Sequence, residues 1–261
     1  MAVYWITGAS SGIGLGLAHE FSRLGHNLIL SSRNPQKLEE IRLSLPHPDK
    51  AKILSFDLSD TQKSTQITDE AFKLFGAVDT IILNAGLSQR SLVQDTHLDV
   101  YRDLMEVNYF GNISLTKAIL DKFQAQNHGQ FVVISSLVGK FGTAYRSGYS
   151  ASKHALHGFY DSLRAEMMMD QKNIDVTIIC PGFVATNISF NALGADGKAI
   201  HQYDKANAEG ISPEEFAKRA VSVIIGRKFE AYIGGKETLG VYLKRFLPDV
   251  FVRKIAKTKV R

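Results

Sequence analysis

Tyr149 and Lys153 have the types and the spacing of an acid–base pair. They lie four residues apart at the start of a predicted helix over 150–170, which places both side chains on one helical face. A nearby ammonium stabilises a phenolate and lowers the pKa of a tyrosine from its usual value of about 10. The pair therefore predicts proton exchange with an alcohol or carbonyl oxygen, although a surface tyrosine and lysine would show the same spacing.

Two polar residues at other positions fit the same chemistry. Ser136 follows a predicted strand, Phe131–Ile134, at the end where open α/β sheets place their sites. Its hydroxyl could hydrogen-bond a substrate oxygen beside Tyr149. Asn108 interrupts an apolar stretch of a predicted helix, where it is either a site residue or a hydrogen-bonded core asparagine.

A glycine-rich turn, Thr7–Gly14 (TGASSGIG), directly follows the first predicted strand and opens a helix. Glycines let backbone N–H groups approach a pyrophosphate closely, and the helix N-terminus supplies partial positive charge. The alternative is a tight turn that needs positive φ angles. As a dinucleotide site, the turn predicts cofactor contacts at Gly8, Ser10, Ser11, Gly12, Ile13 and Gly14.

The choice of cofactor should be made at the end of the second strand. An acidic residue there would bind the ribose hydroxyls of NAD, but this chain has Ser31, Ser32 and Arg33. Arg33 can bind a phosphate through two hydrogen bonds, and serine hydroxyls can donate to it. These residues predict NADP(H), with contacts from Ser32 and Arg33; a solvated arginine at a helix start is the alternative.

The elements that must position these residues alternate along the chain. Short apolar runs typical of buried parallel strands predict strands at Val3–Ile6, Asn27–Ser31, Lys52–Phe56, Thr80–Leu83, Phe131–Ile134, Val176–Ile179 and Glu230–Ile233. Amphipathic stretches between them predict helices near 13–24, 35–45, 61–75, 98–126, 150–170 and 213–226. This alternation predicts one Rossmann-type α/β domain over 1–240, with a doubly wound parallel sheet of about seven strands.

One long polar segment, 187–210, has no clear periodicity and is predicted to be a binding loop or lid. The helix that follows it should begin at a capping box, with Ser212 as N-cap, Pro213 in the first turn and Glu215 as its partner.

Composition indicates an ordinary globular protein. The 261 residues are 44% hydrophobic and 22% charged, and Cys180 is the only cysteine, which fits a reducing compartment. No secretory signal or membrane-spanning run is recognisable in the sequence, so we expect a soluble, cytoplasmic protein.

The net charge of +5 is concentrated at the C-terminus. Residues 244–261 hold seven basic side chains and one acidic one, whereas the other 243 residues hold 24 basic and 25 acidic ones. This distribution argues against nucleic-acid binding, which needs a basic face within the fold. The segment 241–261 is predicted to be a basic amphipathic tail that either docks on the body of the protein or contacts an anionic membrane.

Together, these motifs resemble the short-chain dehydrogenase/reductase family over about residues 2–235. The match is closest to its branch of dehydrogenase/reductase member seven and hydroxysteroid dehydrogenases. The residues that carry the resemblance are Thr7–Gly14, Asn84-Ala85-Gly86, Asn108, Ser136, Tyr149 with Lys153, and Pro181–Thr186.

The resemblance implies hydride transfer between a nicotinamide and a substrate carbon, with a catalytic tetrad of Asn108, Ser136, Tyr149 and Lys153. Ser136 would polarise the carbonyl and Tyr149 would transfer the proton. Lys153 would hold the nicotinamide ribose and depress the pKa of Tyr149, and Asn108 would fix a water that links Lys153 to solvent.

Further contacts follow from the resemblance. It places Asp57 and Leu58 at the adenine, Asn84, Ala85 and Gly86 at the adenosine ribose, and Pro181, Gly182, Val184 and Thr186 around the nicotinamide. From the residues alone, Asp57 could equally cap a helix. Aromatic residues near the site predict a lipophilic carbonyl or alcohol as substrate, with contacts from Ser136, Tyr145, Tyr149 and Phe183.

Alternatives and partners complete the expectations. A family epimerase or dehydratase, or a non-catalytic NADP sensor or membrane-surface protein on the same fold, would share most of these motifs. His154, His157 and Asp161 have a spacing that a metal could use, but without a cysteine cluster or an HExxH motif we predict no metal site. The long predicted helices 98–126 and 150–170 resemble those with which the family forms homodimers and homotetramers.

Overall fold

The computed structural model describes residues 1–202 and 204–257. Within them, seven strands form one parallel sheet in the order β3-β2-β1-β4-β5-β6-β7. The strands are Val3–Thr7 (β1), Asn27–Ser31 (β2), Ala51–Ile53 (β3), Thr80–Leu83 (β4), Gly129–Ile134 (β5), Ile174–Pro181 (β6) and Glu230–Ile233 (β7). The order reverses between β1 and β4, where doubly wound sheets open a crevice at their carboxyl ends. The predicted α/β fold is confirmed. Position 203 of the segment 187–210 and the last four residues of the predicted tail lie outside the described residues.

Helices cover both faces of the sheet. In the described part of the chain they are Gly12–Arg23 (α1), Pro35–Ser44 (α2), Ser64–Phe75 (α3), Leu98–Met105 (α4), Asn112–Gln126 (α5), Ser147–Met169 (α6), Lys205–Ala208 (α7), Pro213–Ile225 (α8), Leu239–Phe246 (α9) and Pro248–Ala256 (α10). Successive side chains of a strand point to opposite faces. Accordingly, Trp5 packs into the core cluster that contains residues of α3, α5 and α6, whereas Ile6 packs into the cluster with residues of α1, α2 and α8. The core thus forms two layers, one on each side of the sheet.

Three predicted elements differ from those observed. The predicted helix 98–126 is interrupted by a π-helical turn, Glu106–Gly111, between α4 and α5. The predicted strand Lys52–Phe56 pairs with β2 only as Ala51–Ile53, after which the chain follows β2 through single hydrogen bonds such as Leu54 N to Leu30 O at 2.9 Å. The long polar segment contains the short helix α7.

The capping box predicted before α8 is half formed. The Ser212 hydroxyl accepts a hydrogen bond from the Glu215 backbone N–H at 3.1 Å, as an N-cap should. The Glu215 carboxylate, however, accepts from Arg219 one turn further along the helix and so does not return to the cap. An ion pair at i, i+4 has replaced the second half of the box.

The C-terminal helices α9 and α10 pack against the body of the domain. Phe251 is buried, and its ring centre lies 4.8 Å from that of Phe141 in the loop after β5. Val241, Leu243 and Ile255 are partly buried against the same core. Across residues 1–202 and 204–257, none of the helices combines the length and apolarity needed to cross a membrane.

Candidate active site

The glycine-rich turn joins β1 to the N-terminus of α1. Gly8 and Gly12 have φ angles of +65° and +54°, in the left-handed region that favours glycine. A side chain at Gly14 would place its Cβ 2.2 Å from the Gly8 carbonyl oxygen. The sequence of this turn is therefore required by its backbone, whose N–H groups and helix N-terminus face the cleft described below.

Asn84, directly after β4, fixes the position of the turn. Its side-chain amide donates to the carbonyl oxygens of Thr7 at 3.0 Å and Gly8 at 3.1 Å. In return, the Thr7 hydroxyl accepts from the backbone N–H groups of Asn84 at 3.0 Å and Ala85 at 3.1 Å. These bonds join β1 and β4 at the point where the strand order reverses.

The end of β2 carries the residues predicted to select the cofactor. Ser32 holds a buried hydroxyl for which the described residues provide no hydrogen-bond partner, and Arg33 is exposed beside it. An unpaired buried hydroxyl is costly unless a ligand satisfies it, so this end of the cleft fits a bound phosphate. Asp57, which also lines the cleft, accepts hydrogen bonds from the backbone N–H and the hydroxyl of Ser59 at 2.9 and 2.7 Å.

Ser136, Tyr149 and Lys153 meet at the carboxyl end of β5. Tyr149 and Lys153 lie on the first turns of α6, where the Lys153 Nζ is 5.8 Å from the centre of the Tyr149 ring. The Ser136 hydroxyl lies near enough to the phenol of Tyr149 to influence its pKa, and it accepts from the Val138 backbone N–H at 3.3 Å. A phenol, a hydroxyl and an ammonium thus share one small site.

Burial is the main influence on the pKa of Tyr149. Burial raises its pKa above the usual value, and the charge of Arg146 and the neighbouring Ser136 hydroxyl only partly oppose this effect. The Lys153 ammonium donates a hydrogen bond to the Ile134 carbonyl oxygen at 2.9 Å. Tyr149 is therefore a protonated acid at neutral pH.

The pKa of Lys153 is also shifted from its usual value. It is 4% exposed, and burial lowers its pKa from 10.5 to about 8. The charged form of a buried amine is disfavoured because it loses its hydration. At neutral pH the protonated form of Lys153 still predominates. Its hydrogen bond to the Ile134 carbonyl oxygen holds the ammonium group at the wall of the cleft.

Asn108 lies in the π-helical turn and is completely buried. Its side-chain oxygen accepts from the Leu87 N–H at 2.7 Å, and its amide donates to the Leu87 carbonyl at 2.9 Å and the Ser152 hydroxyl at 2.9 Å. Its own backbone carbonyl accepts from Asn112 at 2.8 Å. Asn108 therefore joins the loop after β4 to α6, the helix that carries Tyr149 and Lys153. π-helical turns of this kind are frequent at functional sites.

A cleft of about 1720 Å³ runs along the carboxyl edge of the sheet. The predicted site residues that line it are Gly8, Ser10, Ser11, Gly12, Ile13, Ser32, Arg33, Asp57, Leu58, Asn84, Ala85, Gly86, Ser136, Tyr149, Lys153, Pro181, Gly182, Phe183, Val184 and Thr186. Gly14, Asn108 and Tyr145 do not line it. Tyr145, expected at the substrate, has a φ of +65°, and its carbonyl oxygen accepts from the Ser91 N–H at 3.0 Å.

Arg90, Arg146 and Asp204 form a charged cluster that no sequence motif indicates. Both guanidinium groups donate to the same oxygen of the Asp204 carboxylate, with Arg146 at 2.6 Å. All three side chains are nearly buried, and both arginines line the cleft. Asp204 belongs to the segment predicted as a lid, so the cluster links that segment to the residue before α6.

A second network that the sequence did not predict is a chain of polar contacts next to Ser136, on residues 135, 140, 157 and 230. The Ser135 hydroxyl lies 3.0 Å from His157 Nε2, and His157 Nδ1 lies 3.6 Å from the Glu230 carboxylate. Lys140 also donates to Glu230, at 2.7 Å. Burial raises the pKa of Glu230, but contacts with His157, Lys140 and Tyr232 outweigh it and lower the pKa to about 2.

The loop after β6 is held by an acidic residue that the sequence did not single out. The Glu237 carboxylate accepts from the backbone N–H groups of Phe183 at 3.0 Å and Gly235 at 2.9 Å. A Cβ on Gly182 would meet the same carboxylate oxygen at 2.2 Å. Because Glu237 lies 54 positions from Phe183, only the fold brings them together.

Comparison with known proteins shows the family to which this protein belongs. Residues 2–194 match the short chain dehydrogenase family. The chain is a member of the short-chain dehydrogenase/reductase family, as the motifs predicted, and an oxidoreductase.

Individual proteins that resemble this chain in sequence or in fold are consistent with this family. Dehydrogenase/reductase SDR family member 7B of Xenopus laevis is 40% identical over 96% of this chain and 79% of its own length. An alcohol dehydrogenase from the archaeon Thermococcus sibiricus, solved as a complex with 5-hydroxy-NADP, is 25% identical with a TM-score of 0.77 over 90% of this chain and 97% of that one. A short chain dehydrogenase/reductase from Burkholderia phymatum, in complex with NAD, shares the fold at 20% identity with a TM-score of 0.84, over 97% of this chain and 95% of that one.

Proposed function

We propose that the protein is an NADP(H)-dependent oxidoreductase that interconverts a lipophilic ketone or aldehyde and the corresponding alcohol. The observation that carries the proposal is the convergence of Ser136, Tyr149 and Lys153 on one cleft, whose far end holds the glycine-rich turn. Acid–base, hydrogen-bonding and phosphate-binding groups are the parts that such a reaction needs.

NADP(H) would be held by the turn between Gly8 and Ile13, by the end of β2 and by the loop that begins at Pro181. The unpaired hydroxyl of Ser32 and the adjacent guanidinium of Arg33 support the phosphate-bearing cofactor. No acidic residue stands at 31–33 to bind a bare ribose. The archaeal relative solved with an NADP derivative is consistent with this choice.

Proton transfer in the reducing direction would begin from the protonated phenol of Tyr149. NADPH, when bound, supplies the hydride for the substrate carbon. Tyr149 donates its proton to the carbonyl oxygen, Ser136 donates a hydrogen bond to the same oxygen, and the positive charges of Lys153 and Arg146 stabilise the phenolate that remains. The raised pKa of Tyr149 suits this direction because it keeps the acid loaded.

The substrate class is supported by the apolar end of the cleft. Phe141 and Phe251 lie against each other there, with Leu239, Leu243 and Ile255 beside them. These side chains would bury a hydrocarbon portion of the substrate, and each buried CH₂ contributes about 0.8 kcal/mol. A lipophilic carbonyl compound fits this wall.

We also propose a cytoplasmic homo-oligomer. Phe110, in the π-helical turn between α4 and α5, is 50% exposed, and Met168 and Met169, at the C-terminal end of α6, are 57% and 76% exposed. Such exposure is expected of surfaces available to a second copy. Light scattering at micromolar concentration tests this expectation, and a monomer would contradict it.

The decisive experiment for the activity measures NADPH oxidation with a panel of lipophilic ketones and aldehydes. We expect turnover of at least one compound by the wild type, and a loss of roughly 100-fold or more in Tyr149→Phe with NADPH binding retained. Tyr101→Phe is the control, because that hydroxyl bonds Ser147 at 3.0 Å outside the cleft. NADPH binding without turnover of any compound would favour a sensor over an enzyme.

A further inference from the structure

The outer surface of α9 and α10 is unusually apolar. Leu239, Tyr242 and Phe246 recur at i, i+3 and i+7, so they share one side of α9. Leu247, in the turn that follows, and Val250, in the first turn of α10, are also exposed, and we call these five residues the tail face. Each is more than half exposed, and Phe246 is 75% exposed. Clustered exposed apolar side chains mark interaction sites, whereas scattered ones are ordinary.

Positive charge accompanies the tail face. Five basic residues lie between positions 239 and 257, against Asp249 as the one acidic residue. Arg245 and Arg253 are exposed, and their guanidinium groups form no ion pair with any described residue. Apolar side chains flanked by uncompensated basic ones match the boundary between the acyl chains and the anionic head groups of a bilayer.

The tail face also adjoins the cleft. Leu239 belongs to both surfaces, since it is 64% exposed and lines the cleft. Leu243, Phe251 and Ile255, on the inner side of the same two helices, form the apolar wall. A molecule that leaves an acyl layer beneath the tail face would therefore meet Leu239 first and then the apolar wall beside Phe141.

We infer that the tail face docks on bilayers that contain anionic phospholipids and admits the lipophilic carbonyl substrate to the cleft directly from the membrane. The inference that the tail face docks on a bilayer depends only on its exposed apolar residues and on the basic residues beside them. The delivery of substrate rests on the function proposed above, so the two are tested separately.

Docking is tested by flotation of the full-length protein with phosphatidylcholine vesicles, with and without phosphatidylserine. We expect binding to the phosphatidylserine vesicles that falls at high salt, since charge attraction is then screened. Phe246→Asp should weaken binding at least about tenfold, because a large apolar side chain no longer enters the bilayer. Arg245→Glu with Arg253→Glu should weaken it roughly tenfold or more.

Leu43→Asp is the matched control, because Leu43 is 62% exposed on α2, away from the tail face, and should bind vesicles as the wild type does. Absence of flotation, flotation that is insensitive to phosphatidylserine, or wild-type binding by Phe246→Asp would each overturn the proposal. Self-association that Phe246→Asp abolishes, without any vesicle binding, would assign the surface to a second copy of the chain instead.

Delivery is tested by comparing a ketone dissolved in the bilayer with a short, water-soluble one. We expect Phe246→Asp to lower kcat/KM for the bilayer ketone about as much as it lowers vesicle binding, and to leave kcat/KM for the soluble ketone unchanged. Equal loss on both substrates would refute direct delivery. Flotation needs neither cofactor nor turnover, so failure of the proposed activity would not obscure the docking result.

Discussion

Arg146 donates a hydrogen bond of 2.6 Å to Asp204, 58 positions further along the chain. This ion pair connects the residue before α6, the helix that carries Tyr149, to the polar segment 187–210. Arg90 donates to the same carboxylate oxygen, so one negative charge serves two guanidinium groups. Because Arg146 lowers the pKa of Tyr149 while Asp204 partly neutralises Arg146, the segment influences the acidity of the proton donor.

Asp204→Asn should therefore alter the pH dependence of catalysis. With the carboxylate gone, Arg146 acts on Tyr149 uncompensated, and the pKa of Tyr149 should fall. In the reducing direction, the alkaline limb of kcat/KM should therefore move to lower pH. Loss of one partner of a buried ion pair should also lower the free energy of unfolding by about 3 kcal/mol.

Asp99→Asn is the control for this change. Asp99 pairs with Arg102 on the surface, where ion pairs contribute little to stability. Its pH profile and denaturation midpoint should match the wild type. A folded Asp204→Asn protein with an unmoved alkaline limb would contradict the electrostatic link.

Arg33→Ala should shift the cofactor preference. If Arg33 binds the additional phosphate of NADPH, kcat/KM for NADPH should fall roughly 10- to 100-fold, the usual effect of losing hydrogen bonds to a charged group. The value for NADH should change little. Arg23→Ala, on the exposed side of α1, should leave both values unchanged, and an unaltered NADPH/NADH ratio in Arg33→Ala would exclude the phosphate contact.

Gly14→Ala and Gly158→Ala should have opposite effects on the stability of the protein. A Cβ at Gly14 would lie 2.2 Å from a backbone oxygen, so the turn must shift, with an expected loss of roughly 1–3 kcal/mol of stability and of dinucleotide affinity. At Gly158, within α6, no atom lies within 4 Å of the added Cβ, and alanine should stabilise the helix by about 0.5–1 kcal/mol. Denaturation and NADPH titration measure both; equal behaviour of the two variants would contradict the crowding at Gly14.

The lowered pKa of Lys153 should make the free energy of unfolding depend on pH. Its pKa is lowered to about 8 in the folded protein from 10.5, so between these values the unfolded chain binds the additional proton. Stability should then rise with pH across this window, by up to roughly 1.4 kcal/mol per pH unit, relative to Lys153→Met. Denaturation of both proteins at several pH values measures this difference, and a constant difference from pH 8 to 10 would show that the lysine is not perturbed.

Local patterns allowed much of the site to be predicted. The turn at Thr7–Gly14 and the Tyr149–Lys153 pair depend on spacings of a few residues, which the geometry of a turn or helix converts directly into position. The alternation of strands and helices predicted the doubly wound sheet for the same reason. The π-helical turn at Asn108 was missed, because one extra residue in a helical turn hardly changes the apolar pattern of 98–126.

The sequence by itself determined the class of fold, the glycine-rich turn and the position of Tyr149 beside Lys153, since each is encoded within a few consecutive turns of chain. Only the tertiary structure decided that Arg90 and Arg146 share Asp204, that Glu237 holds the loop at Phe183, and that burial raises the pKa of Tyr149. Those features depend on the packing of segments tens of residues apart and on exclusion of water. No local pattern records either of them.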